Sequence, residues 1–298
     1  MTKVPQSLAP APALDPVAAE QLARRHDLVA LGERPPLGRY LVDVWKHRSF
    51  LWTLSRAETA AKHQTNRLGQ LWAWLNPLLL IGSYFVVFGL IIQTTGTIHN
   101  KIGFLAIGVV LFQVISSVIN TGSKSIVSNM NLMRALHFPR ALLPLSVALT
   151  EFLANIPAFI VLFLVMIVTG ERPSVEWLLF PVSILMLVMM LTGMALIGAR
   201  IINISRDIGN LIPVSLRLLR YVSGVFFPIA EKSHGLAQII LMYQPFALPL
   251  QTAREALMYD PSHAVHWPHW AAQAGWSIGF LLVGIVVFWV DEARYGRG

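Results

Sequence analysis

The stretch LWAWLNPLLLIGSYFVVFGLII, residues Leu71–Ile92, contains no charged side chain and decides the fold class of this protein. As a helix it would be about 33 Å long, enough to cross the apolar core of a lipid bilayer. Five more apolar stretches follow it, at 102–119, 142–169, 175–199, 208–229 and 271–290. We therefore predict an all-α integral membrane protein with six transmembrane helices, at 71–92 and in these five ranges.

The composition agrees with a membrane protein. Of the 298 residues, 55% are hydrophobic and 13% are charged, whereas soluble domains carry about 25% charged residues. The chain has no cysteine, which excludes disulfides and thiol chemistry. Its net charge of +8 comes from basic residues that flank the apolar stretches, which indicates contact with anionic membrane lipids and no nucleic-acid partner.

The positions of the basic residues predict the topology. Ten Lys and Arg residues precede the first stretch, and three more lie between the second and the third: Lys124, Arg134 and Arg140. The alternate loops carry only Lys101, Arg172, Lys232 and Arg254. Because positive loops stay in the cytoplasm during insertion, we predict a multi-pass protein of the plasma (inner) membrane with both termini cytoplasmic.

The chain divides into three predicted segments. Residues 1–38 are expected to form a flexible cytoplasmic tail, since they lack the apolar core of a secretory signal. Residues 39–70 form an amphipathic interface helix region, and 71–298 form the transmembrane domain. Within that domain, the apolar segment 235–257 is interrupted by prolines, which predicts short re-entrant helices between the fifth and sixth spans.

Residues 41–55 have the spacing of a surface helix. One side of that helix would carry five apolar residues: Leu41, Val44, Trp45, Leu51 and Trp52. Two tryptophans flanked by cations favour a helix lying in the lipid headgroup plane. The alternative is an ordinary amphipathic helix packed on protein.

The loop between the second and third spans carries three cations and no acid. Ser128 or Asn129 can cap a short helix there, which Phe138-Pro139 would end. That helix contains Met130, Leu132 and Met133. Met and Leu exposed on a cytoplasmic tip would form an adaptable docking surface for a partner. The alternative is a positively charged turn that only fixes topology.

Three ionisable residues are predicted to lie inside the membrane. Arg217 and Arg220 fall in the fifth stretch and Glu151 falls in the third. Counted from the cytoplasmic side, Arg217 and Glu151 have the same depth of about 14 Å. Because buried charges need partners, we predict an ion pair between Glu151 and one of these arginines. The alternative is that the arginines extend to the membrane surface or bind lipid phosphate.

Motifs for chemistry within this chain are missing. It has no phosphate-binding Gly-rich loop, no paired intramembrane carboxylates and no nucleophile signature. A histidine run beside two tryptophans would be the best metal candidate, namely His263, His266 and His269. Its spacing spreads the imidazoles around a helix, so an aromatic belt at the outer membrane surface is favoured and no metal site is predicted. We expect a protein that is not catalytic by itself.

Four short motifs occur in order along residues 40–295: Gly69–Pro77, His137–Arg140, Arg206–Pro213 and Ser223–Ile229. In this order they resemble the membrane subunit of ABC-2-type exporters, specifically the Wzm-like polysaccharide permeases. Within that group the chain looks most like the actinobacterial (mycobacterial) galactan exporter permeases. The resemblance implies export of a polyprenyl-diphosphate-linked polysaccharide, a galactan or an O-antigen-like glycan, from the cytoplasm to the outer face.

The resemblance also implies the partners. Two copies of this chain would form a homodimer clamped by two separate ATP-binding subunits, which would hold ATP and magnesium, while this chain would hold no cofactor. Segment 235–257 would match outer gate helices. The coupling residues that would contact the ATPase are Ser128, Asn129, Met130, Asn131, Leu132, Met133, Arg134, Phe138, Pro139 and Arg140.

A substrate path is predicted from residues that suit a lipid-linked glycan. Sugar rings can slide over aromatic side chains, and Arg suits a diphosphate. The predicted path residues are Trp72, Trp74, Tyr84, Phe85, Phe88, Phe112, Arg217, Arg220, Tyr221 and Phe226. The two arginines depart from the neutral residues that many relatives carry mid-way through the fifth span.

Two other functions remain open at the level of the sequence. An ABC-2 permease for a drug or lipid would share the same fold. A membrane enzyme acting on polyprenyl-linked substrates would need clustered acids or histidines at the membrane face, and the chain offers only the outer histidines. A secondary transporter is weaker still, because inverted repeats and ion ligands are not evident.

Overall fold

The computed structural model describes residues 36–64, 69, 71–93, 98–136, 138–258 and 265–292. Throughout these ranges the regular elements are helices. The predicted tail, residues 1–38, falls almost entirely outside them.

Thirteen α-helices are described. In chain order α1 to α13 are Leu37–Lys46, Arg48–Gln64, Leu71–Tyr84, Lys101–Ser128, Met130–Ala135, Leu142–Ala154, Ile156–Val168, Phe180–Ile204, Ile208–Val222, Ile229–Lys232, Gly235–Met242, Leu248–Leu257 and Trp267–Val290. Helix α3 continues as a π-helical segment, Phe85–Ile91, and a 3₁₀ turn at Val175–Leu179 leads into α8.

Within the described ranges, five helical segments are long and apolar enough to cross a membrane: Leu71–Ile91, Lys101–Ser128, Leu142–Val168, Val175–Ile204 and Trp267–Val290. They correspond to five of the six predicted spans. The predicted fifth span, 208–229, is helical only to Val222. The 15 residues of α9 cover about 22 Å, short of a full crossing. The helix stops there because Gly224 adopts a left-handed backbone conformation with φ of +70°.

Prolines and Asn155 shape the two spans that flank α4. Pro77 lies inside α3, and the third span breaks at Asn155 into α6 and α7. Pro157 sits in the first turn of α7, where it has no amide hydrogen for the carbonyl of Leu153. The Asn155 side chain donates to the Glu151 carbonyl at 2.8 Å and caps the break.

Helix α4 forms the centre of the bundle, and α8 and α13 cross closely beside it. Most α4 side chains from Phe104 to Ile115 are fully buried. Gly193 on α8 and Gly284 on α13 allow the backbones of those helices to touch, since a Cβ on Gly284 would lie 2.6 Å from the Gly193 carbonyl oxygen. A Cβ on Gly193 would collide with the carbonyl of Phe280. Small residues at such crossings are the usual means by which membrane helices pack.

The segment before the first span forms two helices instead of the single predicted helix 41–55. The break falls at His47, whose Nδ1 lies 2.7 Å from the Asp43 carbonyl oxygen. Trp45 is 70% exposed, and Arg48 lies over its ring at 5.5 Å. This exposed indole is available for the predicted contact with lipid headgroups, which stays a prediction.

The two ends of the bundle are each held by polar contacts. At one end the Tyr40 hydroxyl donates to the Glu292 carboxylate at 2.8 Å, and Arg200 pairs with Asp291 at 2.7 Å. At the opposite end, the buried carboxylate of Glu255 on α12 holds the start of α13. Helices α8 and α13 therefore finish at the same end as Tyr40.

Changing Gly193 to Ala tests the close crossing. The added methyl would push against the α13 backbone, so we expect the free energy of unfolding to fall by about 1–3 kcal/mol. Gly279→Ala, on α13 with open space around it, is the matched control. Thermal unfolding of the two variants in the same detergent measures the difference, and equal midpoints would contradict the crossing.

Candidate functional site

Of the two arginines predicted to lie in the membrane, Arg220 on α9 makes more contacts with other helices than Arg217. Its Nη1 donates to the Tyr84 hydroxyl at 3.0 Å, and its Nη2 lies 3.5 Å from Gln113 Oε1. The guanidinium carbon stands 5.3 Å from the centre of the Phe112 ring. The Nε atom is buried and has no hydrogen-bond partner within the described residues. Arg220 thus joins α9 to α3 and α4 and keeps unused donor capacity.

Four predicted path residues form an aromatic cluster beside Arg220. The rings of Phe88 and Phe226 stack with centroids 4.1 Å apart. Tyr84 and Tyr221 flank Phe226 at 5.1 Å and 5.4 Å. The π-helical segment after Tyr84 carries Phe88, and the turn after α9 carries Phe226.

Burial corrects the predicted role of two aromatic residues. Phe112 is 0% exposed and Phe226 is 1% exposed, so neither lines an open path in this structure. Both instead support the surroundings of Arg220 from within the core. Phe85 is half-buried and packs against the same core. Tyr221 and Arg217 have exposed side chains on α9 and remain available to a path.

Trp72 lies apart from the aromatic cluster, on a cavity of about 470 Å³. The cavity lies between the end of α2, α3, α4 and the break between α6 and α7. Its walls carry six polar side chains: Lys62, Asn76, Gln113, Ser117, Glu151 and Asn155. Gln113 also faces Arg220, so the cavity and the arginine are neighbours.

The carboxylate of Glu151 pairs with Lys62, so the predicted pairing with Arg217 or Arg220 is wrong. Lys62 Nζ lies 2.6 Å from Glu151 Oε1, and the Ser117 hydroxyl donates to Oε2 at 2.7 Å. Equal depth along two helices did not place the groups on facing sides. Helix α9 packs on α4 and α8, whereas Glu151 faces α2 and α4.

Sequence reasoning missed Lys62 because the predicted surface helix, 41–55, ended before it, whereas the observed helix α2 continues to Gln64. The missed signal is a polar stripe on α2 at helical spacing: Ser55, Glu58, Thr59 and Lys62. Ser55 donates to the Ser146 carbonyl at 3.1 Å, and Glu58 accepts from Thr150 at 2.9 Å. This polar face fixes α2 to the third span.

Trp74 lines a second groove, of about 660 Å³, between α2, the start of α3 and the break between α6 and α7. Trp52 and Arg56 form the α2 wall of that groove, with the Arg56 guanidinium 5.9 Å from the Trp52 ring. Trp72 and Trp74 therefore face different spaces, and the predicted path residues do not form one continuous surface within a single chain.

The predicted coupling loop forms helix α5 and packs against α1 and α2. Leu132 and Met133 are half-buried against the cluster around Tyr40 and Ile126, so the prediction that they form an exposed tip is wrong. The cause is a contact between segments far apart in sequence, since Phe138 meets Phe50 with ring centroids 5.2 Å apart. The surface of the loop is formed instead by Ser128, Asn131, Arg134, Ala135 and Leu136.

Capping of α5 also differs from expectation. Asn129 occupies the N-cap position, but its side chain donates to the Ser125 carbonyl at 2.9 Å. The Ser128 hydroxyl donates to the Lys124 carbonyl. Both side chains therefore terminate α4, and Met130 follows as the first residue of α5.

Glu292 connects the predicted coupling loop to both ends of the described chain. It accepts from the Arg140 amide at 2.9 Å and from Tyr40, while Arg140 Nη1 donates to the Glu292 carbonyl at 2.6 Å. Burial raises the pKa of the Glu292 carboxyl, and these hydrogen bonds and the Arg140 charge oppose that rise. Pro139, just before Arg140, is half-buried in this junction.

Of the three outer histidines, His269 has a structural role at the start of α13. His269 is buried, and its Nδ1 lies 2.6 Å from Glu255 Oε1. The indole of Trp270 donates to the other Glu255 oxygen at 3.0 Å. His263 lies outside the described residues. Among the residues that the structure does describe, no group of three His, Cys, Asp or Glu side chains is placed to hold a metal.

The helices that carry these residues match a known protein family. A model of the ABC-2 type transporters matches residues 49–258. The chain belongs to the ABC-2 type transporter family. It is accordingly a multi-pass protein of the inner membrane. The matched region contains Arg220, the 470 Å³ cavity, α5 and Arg140, whereas Tyr40 and Glu292, the other members of the junction, lie outside it.

Three relatives of this chain are named as export or transport proteins. The O-antigen export system permease protein RfbA of Myxococcus xanthus is 24% identical over 86% of this chain and 95% of its own length. RfbA of Klebsiella pneumoniae is 26% identical over 74% of this chain and 82% of its own. The polysialic acid transport protein KpsM of Escherichia coli is 26% identical over 64% of this chain and 74% of its own. This ABC-2 family member is thus similar to transporter permeases along most of its length.

A double-mutant cycle on Lys62→Gln and Glu151→Gln tests the pair that anchors α2. Each single change leaves one polar partner unmatched, so we expect a coupling energy of about 1–3 kcal/mol in the free energy of unfolding. The exposed pair of Lys46 and Asp43, 3.6 Å apart, is the matched control, with expected coupling below about 1 kcal/mol. Denaturant unfolding in micelles gives both values, and additive effects at Lys62 and Glu151 would refute the pairing.

Proposed function

We propose that this chain is the membrane subunit of an ATP-driven exporter that moves a polysaccharide from the cytoplasm to the outer face of the membrane. The observation that carries the proposal is the similarity, over most of the chain, to permeases named for O-antigen export and polysialic acid transport. The finer proposal is a polyprenyl-diphosphate-linked glycan, of galactan or O-antigen-like type. Energy would come from ATP and magnesium bound by separate ATP-binding subunits.

The surroundings of Arg220 support a diphosphate-linked substrate. A guanidinium that reaches Tyr84 and Gln113, with a buried Nε still unpaired in the described chain, has donors to offer to a phosphate oxygen. Tyr221 beside it supplies an exposed aromatic face for sugar or isoprenoid contact. In the proposed path, Arg220 binds the charged diphosphate headgroup, and the aromatic residues contact the uncharged sugar or isoprenoid groups next to it.

The contacts at the bundle ends support six crossings. Tyr40, before the first span, contacts Glu292, after α13, which supports an even number of crossings between the two residues. Arg200 and Asp291 place the ends of α8 and α13 together, so residues 205–266 must return to the opposite end. We assign that crossing to α9 with the turn after it. Helices α11 and α12 would then be re-entrant at the outer face, and both termini would be cytoplasmic.

The exposure of Arg217 supports a homodimer. Its side chain points outwards from α9 with no ion pair or hydrogen bond in the described part of the chain. An arginine at that depth does not face lipid without a large free-energy penalty. A second copy of the chain, enclosing a hydrated path between the two, would give Arg217 polar surroundings. Two copies would then present two α5 surfaces to two ATP-binding subunits.

Leu136→Asp tests the coupling surface. Leu136 is 48% exposed next to α5, so a charge there would disrupt docking of an ATPase without entering the core. After extraction in mild detergent, we expect the amount of Walker-A ATPase that co-purifies with the tagged variant to be at least about tenfold lower than with the unchanged chain. Val175→Asp, 82% exposed at the opposite end, is the matched control and should retain it.

Two outcomes would count against this assignment. Recovery of the unchanged chain without any ATPase would contradict the exporter mechanism. Full retention by Leu136→Asp would exclude this part of the loop as the docking surface. Leu132→Asp would be a poor probe, because it would also disturb the packing of α5 on α1.

Arg220→Gln tests the proposed path. Loss of the charged donor should weaken headgroup binding by about 1.5–3 kcal/mol, which lowers export by at least about tenfold. Lipid-linked glycan should then accumulate inside cells that depend on the variant. Arg206→Gln, at an exposed position just before α9, is the control and should export normally. Normal glycan export with accumulation of a different lipid or drug would favour an ABC-2 permease for those substrates.

A further inference from the structure

The cavity beside Trp72 has more hydrogen-bonding capacity than the described chain uses. The Asn76 amide and the Trp72 indole N–H have no hydrogen-bond partner among the described residues. Asn155 uses its amide nitrogen on the Glu151 carbonyl, which leaves its side-chain oxygen. Gln113 uses only its oxygen, in the 3.5 Å contact with Arg220, which leaves its amide nitrogen. Such groups are costly between apolar spans unless a ligand or water meets them.

The backbone adds an acceptor at the same wall. Pro77 has no amide hydrogen, so the carbonyl of Ala73 loses the partner that an ordinary helix would give it. Ala73 and Pro77 both line the cavity. The cavity wall therefore contains side-chain donors and acceptors, and one of its residues, Ala73, has a backbone carbonyl without its usual helical partner.

The charge of the cavity is balanced. Lys62 and Glu151 are both in its wall, but they neutralise each other at 2.6 Å. A phosphate-binding site would need uncompensated cations, which are found at Arg220 and not here. Mixed donors and acceptors without net charge suit hydroxyl groups, each of which donates and accepts. The Trp72 ring adds an apolar face of the kind that packs on the C–H face of a sugar.

We propose that this cavity binds a neutral sugar ring of the exported glycan, through Asn76, Gln113, Asn155 and Trp72. The inference rests on the proposed export function and specifies it. A volume of about 470 Å³ lies within the range of roughly 300–1,000 Å³ typical of small-ligand sites. Because Gln113 lies between the cavity and Arg220, a sugar held here would be next to a diphosphate held there.

The test measures binding to the purified complex in phosphatidylcholine nanodiscs that contain no glycoside detergent. Octyl β-galactoside is the sugar probe, octyl tetraethylene glycol controls for the alkyl tail, and farnesyl diphosphate probes the charged site. Asn76→Leu and Gln113→Leu should each weaken octyl β-galactoside binding about fivefold, as expected for one lost hydrogen bond. Asn76→Leu should leave farnesyl diphosphate binding within about twofold, because Asn76 does not contact Arg220.

Asn210→Leu is the matched control, an exposed amide on α9 away from the cavity, and it should leave all three affinities unchanged. Thermal unfolding of each variant separates loss of binding from loss of fold. The proposal is overturned if the unchanged complex prefers the tail control to the galactoside, or if both cavity variants bind the galactoside normally. A parallel loss of farnesyl diphosphate binding in Asn76→Leu would also overturn it, since the cavity would then be a headgroup site.

The same preparation separates this inference from the export function. Co-purification of the ATPase with no Asn76-dependent galactoside binding would remove the sugar site and leave the exporter assignment standing. Asn76-dependent binding in a chain that recovers no ATPase would keep the sugar site and remove the exporter assignment.

Discussion

A polar group surrounded by apolar spans must find its partner inside the protein, and this constraint shapes the molecule more than any other. Glu151 shows it most clearly, since its carboxylate is 3% exposed and is matched by Lys62 and Ser117. Lys62 can reach it only because the polar stripe of α2 lies along the third span. The position of α2 therefore depends on this buried pair together with the hydrogen bonds of Ser55 and Glu58 to the third span.

Much of the architecture could be predicted from the sequence, because the thickness of the bilayer core sets the length of apolar helix that is needed to cross it. Five spans were recovered in this way, with the stretch that opens at Leu71 as the clearest. The fifth predicted span was too long, because apolarity continues past Val222 while Gly224 ends the helix. Apolar composition reports what tolerates lipid and does not report where the backbone turns.

The functional residues were harder to predict because their partners lie far away in sequence. Depth along a helix suggested that Glu151 and Arg217 could meet, but depth carries no information about which side of a helix faces which neighbour. Leu132 and Met133 were predicted to be exposed because the sequence of the loop does not show that residues far away in the chain, such as Tyr40, pack near them. The sequence marks Arg220 as an unusual charge, but its contacts with Tyr84 and Gln113 depend on the packing of α9 against α3 and α4.

Breaks in the helices create the space that regular packing would have filled. Pro77 and Asn155 both line the cavity, and the helix interruption at each of them leaves backbone or side-chain polar atoms without a partner in the helix. In the proposed function, a charged position at Arg220 and a neutral one in the cavity would divide the recognition of a ligand that has both kinds of group. Gln113 lines the cavity and also contacts Arg220, so it would be next to both parts of the bound ligand.

The junction at Glu292 has a consequence for how the protein is made. Its side chain holds Tyr40 and the Arg140 amide, yet it follows the last span and leaves the ribosome long after both. Helix α1 and the loop around α5 therefore gain these hydrogen bonds only when the span formed by α13 has been inserted. A nascent or truncated chain that ends before Glu292 would lack these contacts, so the surface around α5 is completed only after α13 has been made.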